Sequence, residues 1–242
     1  MVKMDENFGN CAVGINFEPK WIIEQGAPVG PQVYRILREQ IVRTALRPGE
    51  LISEAEVART FALSRQPVRE AFIKLAEEGL VEVRPQRGTL IKKISVQAVM
   101  DARFVREAIE ADIAKVVAGL EDRTLVADLR RQIALQRQVQ EGESSSFMQL
   151  DEHFHRMLAN AAEKSYAWRV IEDVKAQMDR VRYLRVEHLP LRTLITQHEH
   201  VVDAIEAGEP ALAEAAMREH LREILTVLPL IAAARPEFFD AA

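Results

Sequence analysis

The sequence predicts a mostly α protein: an N-terminal winged helix-turn-helix followed by an all-α antiparallel bundle of about six helices. Three observations predict it. Between Val33 and Ile91, three short amphipathic helical segments with turn signals between them lead into two short β-type runs. Beyond Ser95 only long helical periods occur. The charge divides at the same place: residues 31–94 hold 12 Lys and Arg against 8 Asp and Glu, net +4, whereas residues 95–242 hold 18 against 25, net −7. A total of −5 therefore conceals a basic segment joined to an acidic one, and local charge sets the field that a polyanion meets.

Composition limits the classes. At 242 residues, two modest domains fit better than one large one. A chain 48% hydrophobic and 29% charged, with ten Gly and ten Pro, is globular rather than collagen-like, mucin-like or disordered. The lone Cys11 excludes an internal disulfide framework and a Cys-rich zinc site. No apolar run approaches the roughly 18 residues of a membrane span. The start, Met1 to Glu6, has no apolar stretch behind its lysine, so the expectation is a cytoplasmic protein with no membrane partner.

Residues 1–30 have no period and close on the breakers Gly26, Pro28, Gly30 and Pro31, which reads as an arm, with Trp21, Ile22 and Ile23 as its anchor. Val33, Ile36, Leu37, Ile41, Val42 and Ala45 fall at helical spacing, and Arg47-Pro48-Gly49 turns the chain. Ser53 and Glu56 form a capping box ahead of Val57, Ala58 and Phe61. Ser64 caps a third helix with Gln66 and Pro67 in its first turn and the buried stripe Val68, Ala71, Phe72 and Leu75, which Glu78-Gly79 stops. Residues 80–83 and 89–91 read as two strands around the loop 84–88. From Ser95 the helices read near 97–119, 122–141, 144–162, 165–187, 190–207 and 210–233. The domains are thus an arm over 1–30, a winged helix over 31–94 and a helical domain over 95–242, in which short connections suggest an antiparallel bundle.

In such a winged domain the third helix reads DNA. Its first turns carry Arg65, Gln66 and Arg69. Arg suits guanine edges or phosphates and Gln suits adenine. Arg65 and Arg69 share a face opposite the apolar stripe. The hairpin tip adds Arg84, Arg87 and Gly88, the glycine permitting close approach of backbone to a phosphate.

The run from Pro48-Gly49 through Ser53-Glu54-Ala55-Glu56-Val57-Ala58, Leu63-Ser64-Arg65-Gln66-Pro67-Val68-Arg69-Glu70-Ala71 and Glu78-Gly79-Leu80-Val81 to Arg87-Gly88-Thr89 closely resembles the DNA-binding domain of GntR-family transcription regulators. The resemblance implies operator contacts by Arg65 and Arg69, Gln66 and Pro67 at the groove, and a wing tip of Arg87, Gly88 and Thr89. Many members carry an arginine where this chain has Ala55, so that contact is expected to be missing.

In the acidic half Asp151 and His155 stand four residues apart on one helix face, with His153 pointing elsewhere. A later helix offers His198 and His200, about 200° apart, so at most one of them joins the same site, and another helix offers His220. One carboxylate and three imidazoles suit a divalent Zn, Ni, Fe or Mn ion with positions left open for a ligand. Residues 150–155, 199–208 and 215–221 resemble the three signatures of the FCD effector domain of the FadR branch. That resemblance assigns the metal to Asp151, His155, His200 and His220, leaving His153, His188 and His198 outside. Members of the branch often have Gly-Asn where this chain has Glu163-Lys164. Arg106-Glu107-Ala108-Ile109-Glu110 resembles a further branch pattern and makes Arg106 the candidate partner of a small carboxylate effector; an intrahelical Arg106–Glu110 pair is the competing reading.

The expected function is that of a transcription regulator, most simply a repressor. It binds as a homodimer to a short inverted repeat of double-stranded DNA, its operator affinity set by a small carboxylate bound beside a metal ion. The alternatives are a metal-sensing regulator and a metalloenzyme using the same Asp/His cluster. The second supplies no nucleophile or base of its own and leaves the DNA-binding segment unexplained, so an enzyme is not expected.

Overall fold

The computed structural model describes residues 23–140, 144–186 and 191–240, with side chains of 144, 185 and 186 left aside. The arm before residue 23 and His188 lie outside the described residues. Ten α-helices and three short strands run in the order α1 (Val29–Val42), β1 (Leu51–Ile52), α2 (Glu54–Thr60), α3 (Arg65–Glu77), β2 (Val81–Arg84), β3 (Gly88–Ile91), α4 (Val96–Ala118), α5 (Thr124–Gln138), α6 (Ser144–Ala161), α7 (Ser165–Val174), α8 (Ala176–Val186), α9 (Arg192–Ala207) and α10 (Pro210–Ala234) among those residues.

The first half is a winged helix-turn-helix. Val33, Leu37 and Ile41 of α1 meet Val57 and Ala58 of α2 and Val68, Ala71, Phe72 and Leu75 of α3, closed below by Ile52, Leu80, Val81 and Ile91. Ser53 Oγ accepts from the Glu56 amide at 3.1 Å and starts α2, as the capping box requires. Gly30 and Pro31, which look like breakers, stand instead in the first turn of α1, where the proline's fixed φ and missing N–H cost nothing. The antiparallel sheet has the order β1-β3-β2, with Val83 opposite Thr89 and Ile52 also opposite Thr89. The two-residue β1 is too short to carry an alternation that a sequence could display.

The second half is all-helical. Its larger core joins α4, α5, α6, α9 and α10 through Ala114, Leu129, Phe147, Phe154, Val201, Met217 and their neighbours. A smaller one lies under the interdomain linker, where Ile94 packs with Val99, Met178, Val181, Ile224, Phe238 and Phe239. The C-terminal segment straps this linker: the Ile94 amide donates to Phe238 O at 2.8 Å and the Asp240 amide to Ile94 O at 3.0 Å. The single helix expected over 165–187 is two helices. It breaks at Lys175, so seven helices rather than about six follow the linker among the described residues. The break turns Ala176 out of the bundle and into the winged-helix core.

Candidate metal centre and nucleic-acid interface

The two faces of α3 stand as the spacing requires. Val68, Ala71, Phe72 and Leu75 are buried, while Arg65, Gln66 and Arg69 are exposed at the start of α3 and Pro67 is half-buried. Arg65, Arg69 and Arg87 have no ion-pair partner among the described residues and remain available to an anion. Arg84 by contrast is paired with Glu82 at 2.9 Å, and Gln66 Nε2 donates to Glu70 Oε1 at 3.0 Å. One wing residue differs from expectation. Thr89 is 3% exposed, because the pleat turns it, with Ile91 two residues on and its buried partner Ile52, to the inner face of the central strand, so its side chain is withdrawn from the groove. Gly88 has φ +95°, and a Cβ there would meet Ile52 O at 3.1 Å. The tight wing and the neighbouring strand by themselves require glycine there.

In the helical domain four buried side chains converge from three helices: Asp151 and His155 of α6, His198 of α9 and His220 of α10. One ligand atom from each lies within 4.8 Å of all the others. This corrects the assignment of His200. The α9 stripe Leu194, Val201 and Ile205 passes through His198, which is fully buried, and leaves His200 on the exposed face, two residues and about 200° away. His153 is exposed as expected.

Hydrogen bonds around the cluster place the proton of two of its three imidazoles. His198 Nδ1 lies 2.8 Å from Gln136 Oε1, and that amide is oriented by its Nε2 donating to Leu150 O. His220 Nδ1 lies 3.2 Å from Gln197 Oε1, whose Nε2 donates to Glu223 at 3.3 Å. His155 Nδ1 faces Glu110 Oε2 at 2.5 Å. The Nδ1 atoms of His198 and His220 meet amide oxygens, so their protons sit there and their Nε2 lone pairs point inward, while His155 Nδ1 lies against the Glu110 carboxylate without a hydrogen bond. His220 Nε2 is then 3.3 Å from His198 Nε2, with no proton between those two, and 3.2 Å from His155 Nε2.

Electrostatics agree. Burial pushes His198 down to about 3 and His220 well below the ordinary imidazole value, so both are neutral near pH 7. Burial alone would raise Asp151, but the Arg182 guanidinium and then the imidazoles hold it well below the carboxylate range. Glu110 is likewise raised by burial and overridden by Arg106 and His155, down to about 2. Asp151 Oδ1 is buried with no hydrogen-bond partner, 3.6 Å from His198 Nε2. An unmet buried acceptor costs about 1–3 kcal/mol. Converging lone pairs and an orphaned carboxylate oxygen are what a cation relieves. Donors held about 2.0–2.1 Å from one ion stand about 3–3.4 Å apart, as these nitrogens do. The residues present fit a divalent ion, and the oxygens on each Nδ1 are the outer support that metal-bound histidines need. Phe154 stacks on His198 with centroids 4.3 Å apart and covers one side.

The Arg106–Glu110 pair is present, with Nε 2.5 Å from Oε1, so Arg106 steadies the carboxylate that steadies His155. Arg106 also lines a cavity of about 20 Å³ beside the cluster, with Arg182, His220, Met178 and Leu194.

Comparison with known proteins gives the family. Residues 30–91 match the model for bacterial regulatory proteins of the gntR family, and residues 101–223, just over half the chain, match the FCD domain. The chain is 42% identical over 199 residues to the HTH-type transcriptional repressor RspR of Escherichia coli (strain K12), covering 81% of this chain and 87% of that one.

This chain belongs to the GntR family of transcription regulators.

Within the GntR family it is also 30% identical over 198 residues to the probable D-xylose utilization operon transcriptional repressor of Paenarthrobacter nicotinovorans, covering 81% of this chain and 87% of that one. Among solved structures, E. coli McbR/YncC has the same fold, with a TM-score of 0.71 at 18% identity over 83% of this chain and 97% of that one. Among the described residues no helix of this GntR regulator is long and apolar enough to cross a membrane.

Proposed function

We propose that this GntR regulator is a repressor whose grip on operator DNA is set at the Asp151–His155–His198–His220 cluster, where a divalent ion (Zn, Ni, Fe or Mn) receives a small carboxylate metabolite. The observation that carries the reading is the convergence of three imidazole Nε2 atoms and one orphaned carboxylate oxygen. Repression is the role printed for the relatives RspR and the D-xylose operon repressor. Arg65 and Arg69 supply the unpaired cations for the groove, with Arg87 on the wing. Two copies related by a two-fold axis present two reading helices, so the operator is a short inverted repeat and the working unit a cytoplasmic homodimer.

The ion supplies charge and open coordination positions for the metabolite's oxygens. The protein supplies the ligands, their orientation through Gln136, Gln197 and Glu110, and Arg106 on the cavity wall. A cavity of about 20 Å³ holds one water-sized group, so a metabolite enters only if a surrounding helix moves. That requirement makes its binding a choice between conformations, the condition for switching anything.

The same small cavity favours a second reading, in which the ion alone is the signal. Operator affinity of chelator-treated protein decides, measured with zinc alone and then with zinc plus a panel of carboxylates. A shift only with a carboxylate supports the first reading, a full shift with zinc alone supports the second, and protein that binds no ion overturns both.

A further inference from the structure

Helix α8 belongs to both domains. Ala176 is packed inside the winged-helix core. Gln177 Nε2 donates to Gly79 O at 3.1 Å, just past the end of the reading helix, and Arg180 Nη2 donates to Lys92 O at 2.8 Å, on the linker. Farther along the same helix Arg182 donates to Asp151 Oδ2 in the metal cluster. Its other terminal nitrogen, Nη1, is 3.6 Å from Asp179 Oδ1, and Asp179 Oδ2 takes Lys175 Nζ at 2.6 Å. A buried chain of alternating charge, Asp151–Arg182–Asp179–Lys175, therefore runs from the cluster to the end of α8 that enters the winged helix. The helix is only 11 residues, about 16 Å, and its polar ends are tied at both places.

Arg182 holds Oδ2 of Asp151, whose other oxygen, Oδ1, is unpartnered, faces His198 and is the one an ion would claim. A divalent cation on Asp151 withdraws the carboxylate's lone pairs and sets two positive charges against the guanidinium. Repulsion across the shared carboxylate then drives the guanidinium toward Asp179, its neighbour on the same helix, or toward an anion in the cavity it lines. We propose that Arg182 is the positioning residue that couples the cluster to the DNA-binding domain: it holds Asp151 while the site is empty, releases it when an ion binds, and α8 passes the displacement to Gly79 and Lys92. This rests on the metal reading above but goes beyond it, because a site can hold an ion without reporting it. A guanidinium that merely neutralised Asp151 would leave the winged helix indifferent to the ion.

The test uses the full chain, stripped with chelator, and zinc as the probe. Amide hydrogen exchange is followed at Leu80, Lys92 and Ile94, whose N–H groups bond to Leu75 O, Leu80 O and Phe238 O. In the wild type zinc should change exchange at these amides by at least about five-fold, the lower end of ordinary site-to-site coupling. Arg182→Gln should bind zinc at least as tightly, having lost a positive charge beside the site, yet show no change at these amides. Gln177→Ala, which touches neither the cluster nor Arg182, covers the case in which Arg182→Gln fails to fold. It should bind zinc as the wild type does and lose most of the response at Leu80. Zinc bound with no exchange change in the wild type, or a full response in either variant, overturns the coupling and leaves the metal site standing. A wild type that binds no zinc overturns the metal site itself and the coupling with it.

Discussion

His198 and His220 bring their Nε2 atoms to 3.3 Å from each other while each Nδ1 faces a glutamine oxygen, Gln136 and Gln197 respectively. Two neutral imidazoles held this way have nothing to share but lone pairs, and the third ring, His155, joins them from the other side. The first prediction follows. Protein purified without chelator should carry about one ion per chain. His198→Ala should lose most of it, whereas His200→Ala and His153→Ala should retain it. Elemental analysis of the four proteins checks this, and retention in His198→Ala with loss in His200→Ala would reverse the assignment.

The same burial gives a pH dependence for the metal-free protein. His198 is pushed from about 6.5 unfolded down to about 3 in the fold, so between those values the unfolded chain binds the extra proton. Stability is complete above about pH 6.5 and declines as pH falls toward 3. Glu110, lowered to about 2, loses its contribution in the same direction below about 4.5. The urea midpoint of stripped protein should fall steadily from pH 7 to pH 4. Since protons and the ion compete for the same Nε2 atoms, added zinc should raise the midpoint at pH 7 and do little at pH 4. A flat profile from 7 to 4 would contradict the neutral, buried state of these rings.

Much of this is legible in the sequence, and what is not has physical reasons. The stripe of α3 and the N-cap at Ser53 are local signals, and the structure keeps both, the cap through Ser53 Oγ and the Glu56 amide alone. The helix break at Lys175 is not local. Periodicity runs through it, and what makes it necessary is the packing of Ala176 against the other domain. β1 exists only because β3 offers it an edge. The choice between His198 and His200 is readable: Leu194, Val201 and Ile205 are four, three and seven residues from 198, whereas the polar Thr196, Asp203 and Glu206 are four, three and six from 200. The apolar residues following His200 suggest an inward position, but a helix stripe is defined by residues on both sides of a position.

For DNA, Arg65→Ala and Arg69→Ala should each weaken operator binding without loss of stability, because both guanidinium groups are exposed and make no ion pair among the described residues. A guanine-edge contact predicts a loss of about 1–3 kcal/mol with relaxed specificity at one base pair. Thr89→Val should leave affinity unchanged, its side chain being inside the sheet. Fluorescence anisotropy on the operator measures all three. Undiminished affinity in both arginine variants would remove α3 as the reading helix, and a large loss in Thr89→Val would place the wing differently.

The last prediction concerns Glu163, where members of the FadR branch often have glycine and this chain does not. Helix α6 ends at Ala161, and the chain reverses into α7 with Glu163 at φ +57°. The turn closes through the Lys164 amide donating to Ala159 O at 2.8 Å, with the Glu163 amide on Asn160 O at 3.0 Å. That bond pattern needs a left-handed residue at 163, and a residue with a Cβ occupies that region at a cost of about 1–2 kcal/mol. Glycine removes the cost but loses about 0.5–1 kcal/mol to the greater freedom of the unfolded chain. The Glu163 side chain is exposed and adds no ion pair among the described residues, so nothing else is given up. Glu163→Gly should therefore stabilise the protein by up to about 1 kcal/mol. Glu163→Asn should fall between glycine and the wild type, since asparagine tolerates this region better than glutamate. Glu163→Val, β-branched in a left-handed position, should destabilise. Urea unfolding of the four proteins supplies the order. A ranking in which valine equals or exceeds glycine would mean that the turn does not hold the left-handed residue that the α6–α7 hydrogen bonds require.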